Sequence, residues 1–255
     1  MCIIIYKPKG KAVPLERLFA SKDRNPHGFG VSWANDKKVK TFRTMDFDRF
    51  LEKYSTVSQF DCMLHFRYAT KGRKDRENCH PFKVVDGLVM THNGTMPNLE
   101  GISDARSDSR ALVELYLRPM VKKQKGFCYT DSGKRWMTAL IGSGNKLCFM
   151  NRHGNPSFVN GDLGHWSMGC WYSNKSYERT GGIVAPNGYK FLARKKASAE
   201  EIVGMPITYG RQRFDSKSII DDMQDDLDLY ADIEDDLGHG CNTSEGFDCS
   251  EENTL

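Results

Sequence analysis

Blocks of two-residue and of three-and-four-residue apolar spacing alternate along this chain, and they predict a mixture of strands and helices. Ile3, Ile4, Ile5 and Tyr6 form a β-branched and aromatic run directly behind Cys2, which reads as a buried strand. Leu15, Leu18 and Phe19 share one face of a short helix over residues 14–21, stopped before Asn25-Pro26. The stretch PHGFGVSWANDKKVKTFRT reads as a hairpin, with strands over 30–33 and 38–42 joined across Asn35-Asp36. Phe47, Phe50, Leu51 and Tyr54 recur at helical spacing and predict a helix over 46–55. Strands are expected at 62–68 and 87–91.

Ser107 is a fair N-cap for an amphipathic helix over 107–121, whose apolar face would carry Ala111, Leu112, Leu115, Tyr116 and Met120. Strands are expected at 136–141 and 146–151, across the turn GSGN, with weaker signals at 157–160, 170–173 and 189–192. This order lacks the regular alternation of a parallel doubly wound sheet, so a layered α+β fold with mixed or antiparallel sheets fits better. There is no internal repeat. The chain then changes character. Positions 220, 223, 227 and 230, continued by Ile233 and Leu237, form an apolar stripe on an acidic amphipathic helix, followed by a tail of disordered composition.

Charge sharpens that division. The net charge is +4, but from Asp215 onward there are fourteen acidic residues and one basic one, Lys217, about −13, which leaves about +17 on the part before it. An acidic segment of this kind either folds back on the basic body or meets a partner's groove. The basic runs Lys71, Arg73, Lys74, Arg76 and Lys122, Lys123, Lys125 read as solvated loops without a nucleic-acid motif, so at most a weak, salt-sensitive affinity is expected. Eight cysteines are scattered with no CxxC pair, which excludes zinc spacing and a disulfide scaffold. No apolar run approaches the ~20 residues of a membrane span. Without a secretory signal the expected location is the cytoplasm.

The candidate chemistry begins at Cys2. Removal of Met1 would free a residue that holds nucleophile and base together, a thiol and an α-amine whose reference pKa is about 7.7–8.0. Three polar stretches break the apolar pattern at or beyond strand ends: HFRYAT (65–70), NCHPF (78–82) and THNGT (91–95), with Ser107-Asp108-Ser109 opening the long helix. Such positions put side chains on a rigid scaffold near solvent. Each has a plainer reading alone: Asn-Gly is a common turn, Arg67 could be a structural ion pair, and Asp108 suits a helix start.

Together and in this order, Cys2, NPHGFG, HFRYAT, NCHPF, HNGT and SDS resemble the glutaminase domain of class II glutamine amidotransferases, of a stand-alone type. These are N-terminal nucleophile hydrolases, and the resemblance spans about residues 2–200. It implies an α+β fold, the four-layer αββα sandwich, over residues 1–210, with the acidic helix and tail over 211–255. It implies that Cys2 attacks the glutamine side-chain amide to form a γ-glutamyl thioester, with its own α-amine as base. Asn93 and Gly94 resemble the oxyanion donors, Arg67 the group that grips the α-carboxylate, and Asp108 the partner of the α-ammonium. Thr70 and His92 are the weaker substrate-side candidates. His65 and His80 read as pocket scaffolding, and Gly28 and Gly30 as letting the loop before the second strand pass close to Cys2. The family usually continues SD with Thr-Glu, where this chain has Ser109-Arg110, so altered helix surroundings are expected there.

The implied activity is glutamine-dependent nitrogen donation, with no metal and no cofactor. The residues after about 200 are too few and too acidic for a synthase, so the ammonia acceptor is expected on a partner protein. A γ-glutamyl peptide amidohydrolase is the near alternative. A catalytically silent binding or inhibitor protein is the distant one, and retention of Cys2, Arg67, Asn93, Gly94 and Asp108 together argues against it.

Overall fold

The computed structural model describes residues 2–178 apart from residues 97, 100 and 104; the strand expected at 189–192, the acidic helix and the tail lie outside the described residues. Strand β1 (Ile3–Lys7) runs near the middle of a six-stranded antiparallel sheet, between β4 (Asp61–Phe66) and β10 (Cys170–Tyr172). The sheet is completed by β2 (Phe29–Asn35) and β3 (Lys38–Thr44) on one side and β9 (His165–Ser167) on the other. A second antiparallel sheet holds β5 (Phe82–Val85), β6 (Leu88–Asn93), β7 (Lys146–Asn151) and β8 (Pro156–Val159) in that order.

Period-two alternation along β1 decides which layers form. Ile3 and Ile5 point to one core with helices α1 (Leu15–Arg24) and α2 (Phe47–Val57), through Leu18, Phe19, Phe47, Phe50 and Tyr54. Ile4 and Tyr6 point the other way, against Val89, Cys148 and Met150 of the second sheet. That sheet's far face buries Phe82, Met90, Leu147 and Phe149 against helices that follow Ser107 and Thr130. The result is helix, sheet, sheet, helix: the expected αββα sandwich. The three isoleucines of β1 are fully buried, each worth roughly 1.5–3 kcal/mol, so the main chain behind Cys2 is fixed rather than frayed.

Local chemistry sets the boundaries. Asp46 caps α2, its carboxylate accepting from the Asp48 and Arg49 amides at 2.8 and 3.2 Å. The hairpin turns at Asp36-Lys37, with φ of 51° and 58°, one residue later than expected, because Asn35 already pairs with Lys38.

Two expectations fail. Residues 136–141 are the end of helix α5 (Asp131–Ile141), not a strand: the Thr130 hydroxyl caps it at the Gly133 amide, 3.1 Å, and Met137 and Ile141 recur at four-residue spacing on its buried face. In the long helix, Leu115 is 46 % exposed, although the expected face included it. The helix opens as α3 (Asp108–Ala111), widens to a π turn over Leu112–Leu117, and resumes as α4 (Arg118–Lys123). Pro119 offers no N–H and crowds the carbonyl four residues back, at Leu115; the wider turn accommodates it and moves the buried stripe to Leu112, Leu117 and Val121.

Candidate active site

Cys2, Arg67, Thr70, His92, Gly94 and Asp108 line one cavity of about 10 Å³, room for about one water, together with Tyr68, Lys71, His80 and Ser109. Strand ends deliver most of them: Cys2 precedes β1, Arg67 follows β4, His92 lies near the end of β6 and Gly94 just beyond it. Ile3 pairs with Phe66, which places Cys2 beside the Arg67–Tyr68 turn. There the Tyr68 amide donates to the Cys2 sulfur at 3.2 Å. Burial pushes the Cys2 thiol up, against the opposing pull of that hydrogen bond and the Arg67 charge. The resting sulfur is therefore a thiol, and it needs a base.

The Arg67 guanidinium is buried and held by two carbonyls of the next loop, Arg73 at 2.8 Å and Lys71 at 3.0 Å. These contacts fix the plane of its fork and tie down the basic loop; Arg73 also meets Asp75 at 3.4 Å. Asp108 accepts from the Met96 amide through one oxygen and from the Ser109 amide through the other, both at 2.8 Å. It lies at a helix start capped by Ser107, where backbone dipoles favour a negative charge. Thr70 sits at the exposed rim, 3.2 Å from the Thr95 hydroxyl. Arg110, the departure from the family pattern, pairs with Glu114 at 2.7 Å and Glu77 at 3.1 Å on the outer face.

Histidines form the floor. The His65 and His80 rings meet at a tilt with centroids 4.0 Å apart, and His65 Nε2 lies 3.1 Å from the His92 carbonyl. Burial lowers the His65 pKa to about 3 and holds His80 well below its ordinary range, so both are neutral. Both ring nitrogens of His92 are occupied, Nδ1 by the Ser109 hydroxyl at 2.8 Å and Nε2 by Asn145 Oδ1 at 2.9 Å. Gly28 and Gly30 make their close approach to Cys79 and to the His80 carbonyl rather than to Cys2; a Cβ on either would overlap that segment.

The Asn93 amide lies outside the cavity lining. Its nitrogen donates to the Cys2 carbonyl at 2.6 Å and to the Ser173 hydroxyl at 2.7 Å, so both hydrogens are engaged. Asn174 donates to the same Cys2 carbonyl at 2.7 Å, and Ser173 accepts from the Ile4 amide at 2.9 Å. Three residues that sequence reasoning passed over thus complete the site: Ser173 and Asn174, which clamp the first strand, and Asn145, which holds His92. Their signal was present, since SN after CWY and the Asn of GSGN are polar breaks at strand ends like those singled out above. Among the described residues no cluster of acidic, histidine and cysteine side chains could hold a metal ion, and no helix is long and apolar enough to cross a membrane.

Two facing antiparallel sheets between helices, with a buried cysteine at the head of a central strand, are the αββα arrangement that the sequence resemblance implied. In sequence the chain is similar to the amidophosphoribosyltransferase of Methanocaldococcus jannaschii, 25% identical over 150 residues; the match takes in 52% of this chain and 31% of that protein. The chain thus spans about a third of the length of the curated relative it matches. No protein-family model matches it. Among solved structures it is similar to the glutamine phosphoribosylpyrophosphate amidotransferase of B. subtilis complexed with ADP and GMP: TM-score 0.44, 17% identity, 68% of this chain and 41% of that one. A class-II glutamine aminotransferase domain protein from Silicibacter pomeroyi follows at TM-score 0.33 and 16% identity, over 60% of this chain and 73% of that one.

Proposed function

We propose that this chain hydrolyses the side-chain amide of glutamine and releases ammonia for transfer. The observation that carries the reading is the convergence of a buried thiol, a fixed guanidinium and a backbone-held carboxylate on one cavity. Arg67 suits the α-carboxylate of an amino acid and Asp108 its α-ammonium. Cys2 then lies at the end of the cavity where the side-chain amide falls.

With Met1 removed, the Cys2 α-amine takes the thiol proton, and the sulfur attacks the amide carbon. The developing oxyanion meets the Gly94 N–H, and Asn93 joins by exchanging its bond to the Cys2 carbonyl for the oxyanion. Collapse transfers the proton to the leaving nitrogen, ammonia departs, and a γ-glutamyl thioester remains. Water, activated by the same amine, releases glutamate and restores the thiol. Glutamine is far larger than one water, so its admission displaces the rim at Tyr68–Lys71. The ammonia acceptor belongs to a partner protein in the cytoplasm, with the acidic segment 211–255 as its docking element. Deleting residues 215–255 should spare glutamine hydrolysis and abolish co-purification of that partner.

Glutamate release from glutamine, measured on the wild type and on Cys2→Ala with γ-glutamyl peptides as competitors, tests the reading. Saturable release that the substitution abolishes, with glutamine outcompeting the peptides, is expected. Equal release by both proteins would refute the nucleophile, and preference for peptides would make the chain a γ-glutamyl peptide amidohydrolase instead.

A further inference from the structure

Four side chains run in line from β7's leading turn to the helix start: Asn145, His92, Ser109 and Asp108. The Asn145 amide nitrogen donates to the Ile141 carbonyl at 2.6 Å, and only the NH2 side of an amide can face a carbonyl. Its oxygen must therefore be the atom 2.9 Å from His92 Nε2, and that ring nitrogen carries the hydrogen. His92 is buried, with Asp108, Lys146, His65 and His80 as the charged or titratable groups acting on or near it. A neutral ring with hydrogen on Nε2 has a bare Nδ1, which accepts from the Ser109 hydroxyl at 2.8 Å. A serine hydroxyl has one proton. Directed at His92, it is not available to Asp108 Oδ1, which lies 3.3 Å from the same oxygen.

We propose that Asn145 is a positioning residue: it fixes the His92 tautomer, which turns the Ser109 hydroxyl away from Asp108 and keeps that carboxylate open for the substrate's α-ammonium. This rests on the reading of Asp108 as the ammonium site. In the opposite tautomer, or in the imidazolium, Nδ1–H would donate to Ser109, and the serine proton would turn to Asp108 Oδ1 and compete with the ligand. Two further contacts anchor Asn145 itself. Its carbonyl accepts from Asn160 Nδ2 at 2.7 Å, and its side chain lies where a Cβ on Gly94 would fall.

The test is a double-mutant cycle on glutamine hydrolysis, with kcat and KM measured separately. Asn145→Asp keeps an acceptor for Nε2–H but draws a second proton onto the ring, so it turns the serine proton to Asp108. KM for glutamine should rise about tenfold, the scale of one hydrogen bond to a charged group, with kcat within about twofold. In a Ser109→Ala background there is no proton to turn, and adding Asn145→Asp should leave KM where Ser109→Ala alone puts it. The same rise in both backgrounds would overturn the proposal while leaving the glutaminase reading intact; a wild type inactive on glutamine would remove both. Independently of activity and of how the variants fold, long-range 1H–15N spectra of the wild-type histidines should show His92 protonated at Nε2 and bare at Nδ1. A proton on Nδ1 would overturn it.

Discussion

Lowering the pH from 7.5 to 5 should destabilise this fold steeply, and the histidine floor sets the size of the effect. His65 has a folded pKa of about 3 because burial disfavours its charged form, against about 6.5 in an unfolded chain. A depressed histidine pKa means the unfolded state binds the proton first, so stability is full above pH 6.5 and falls as the pH drops below it. At pH 5 the unfolded ring lies about 1.5 units below its pKa while the folded ring is still neutral, which costs about 2 kcal/mol at 1.36 kcal/mol per unit. His80, held well below its ordinary range by burial first and by its histidine and arginine neighbours next, adds to the loss in the same direction. The His65 cost alone is a sizeable part of the ~5–15 kcal/mol that holds a domain together. Ordinary carboxylates titrate near pH 4, so this window isolates the histidines. Urea unfolding at pH 7.5 and 5.0 reads the difference, and His80→Phe, which keeps a ring beside His65 and Phe82, should shrink it. Stability that is flat or rising over this interval would refute the assignment of neutral, buried rings.

Other substitutions test other parts. Gly94→Ala would put a Cβ into the Asn145 side chain at a φ of +148°, costing about 1–3 kcal/mol by thermal unfolding and lowering glutamate release further than the stability loss explains. Arg67→Lys replaces a fork that satisfies two carbonyls with a point charge; KM for glutamine should rise at least about tenfold, and an unchanged KM would exclude Arg67 from the carboxylate site. Asp46→Ala removes the α2 cap and should cost about 1 kcal/mol of stability while sparing glutamine turnover, since Asp46 does not line the cavity.

How much of this was legible beforehand follows from what the pattern can carry. The β1 run was readable because a strand buried on both faces is apolar throughout, and the 46–55 spacing because that helix buries one face against one layer. The stretch 136–141 was misread because six residues dense in apolar groups fit either period; the deciding signals are the Thr130 cap, upstream of the stretch, and the four-residue recurrence of Met137 and Ile141. The register of the long helix was lost at Pro119, whose effect on the preceding turn no regular period encodes. In the site, motif order brought Cys2, Arg67, Thr70, His92, Gly94 and Asp108 into view, and all six line the cavity. Asn145, Ser173 and Asn174 did not stand out, because they act on the backbone of Cys2 or on the ring of His92, and such contacts depend on strand pairing across the sandwich rather than on neighbours in sequence.

The central claim, that the amine and sulfur of a newly exposed Cys2 act together on a glutamine amide, is tested most directly by acid-quenched intact mass of the protein during glutamine turnover. The account predicts a chain lacking Met1 that carries a transient γ-glutamyl adduct mapping to Cys2 on fragmentation. Undiminished turnover by a preparation that wholly retains Met1, or an adduct on another residue, would contradict it.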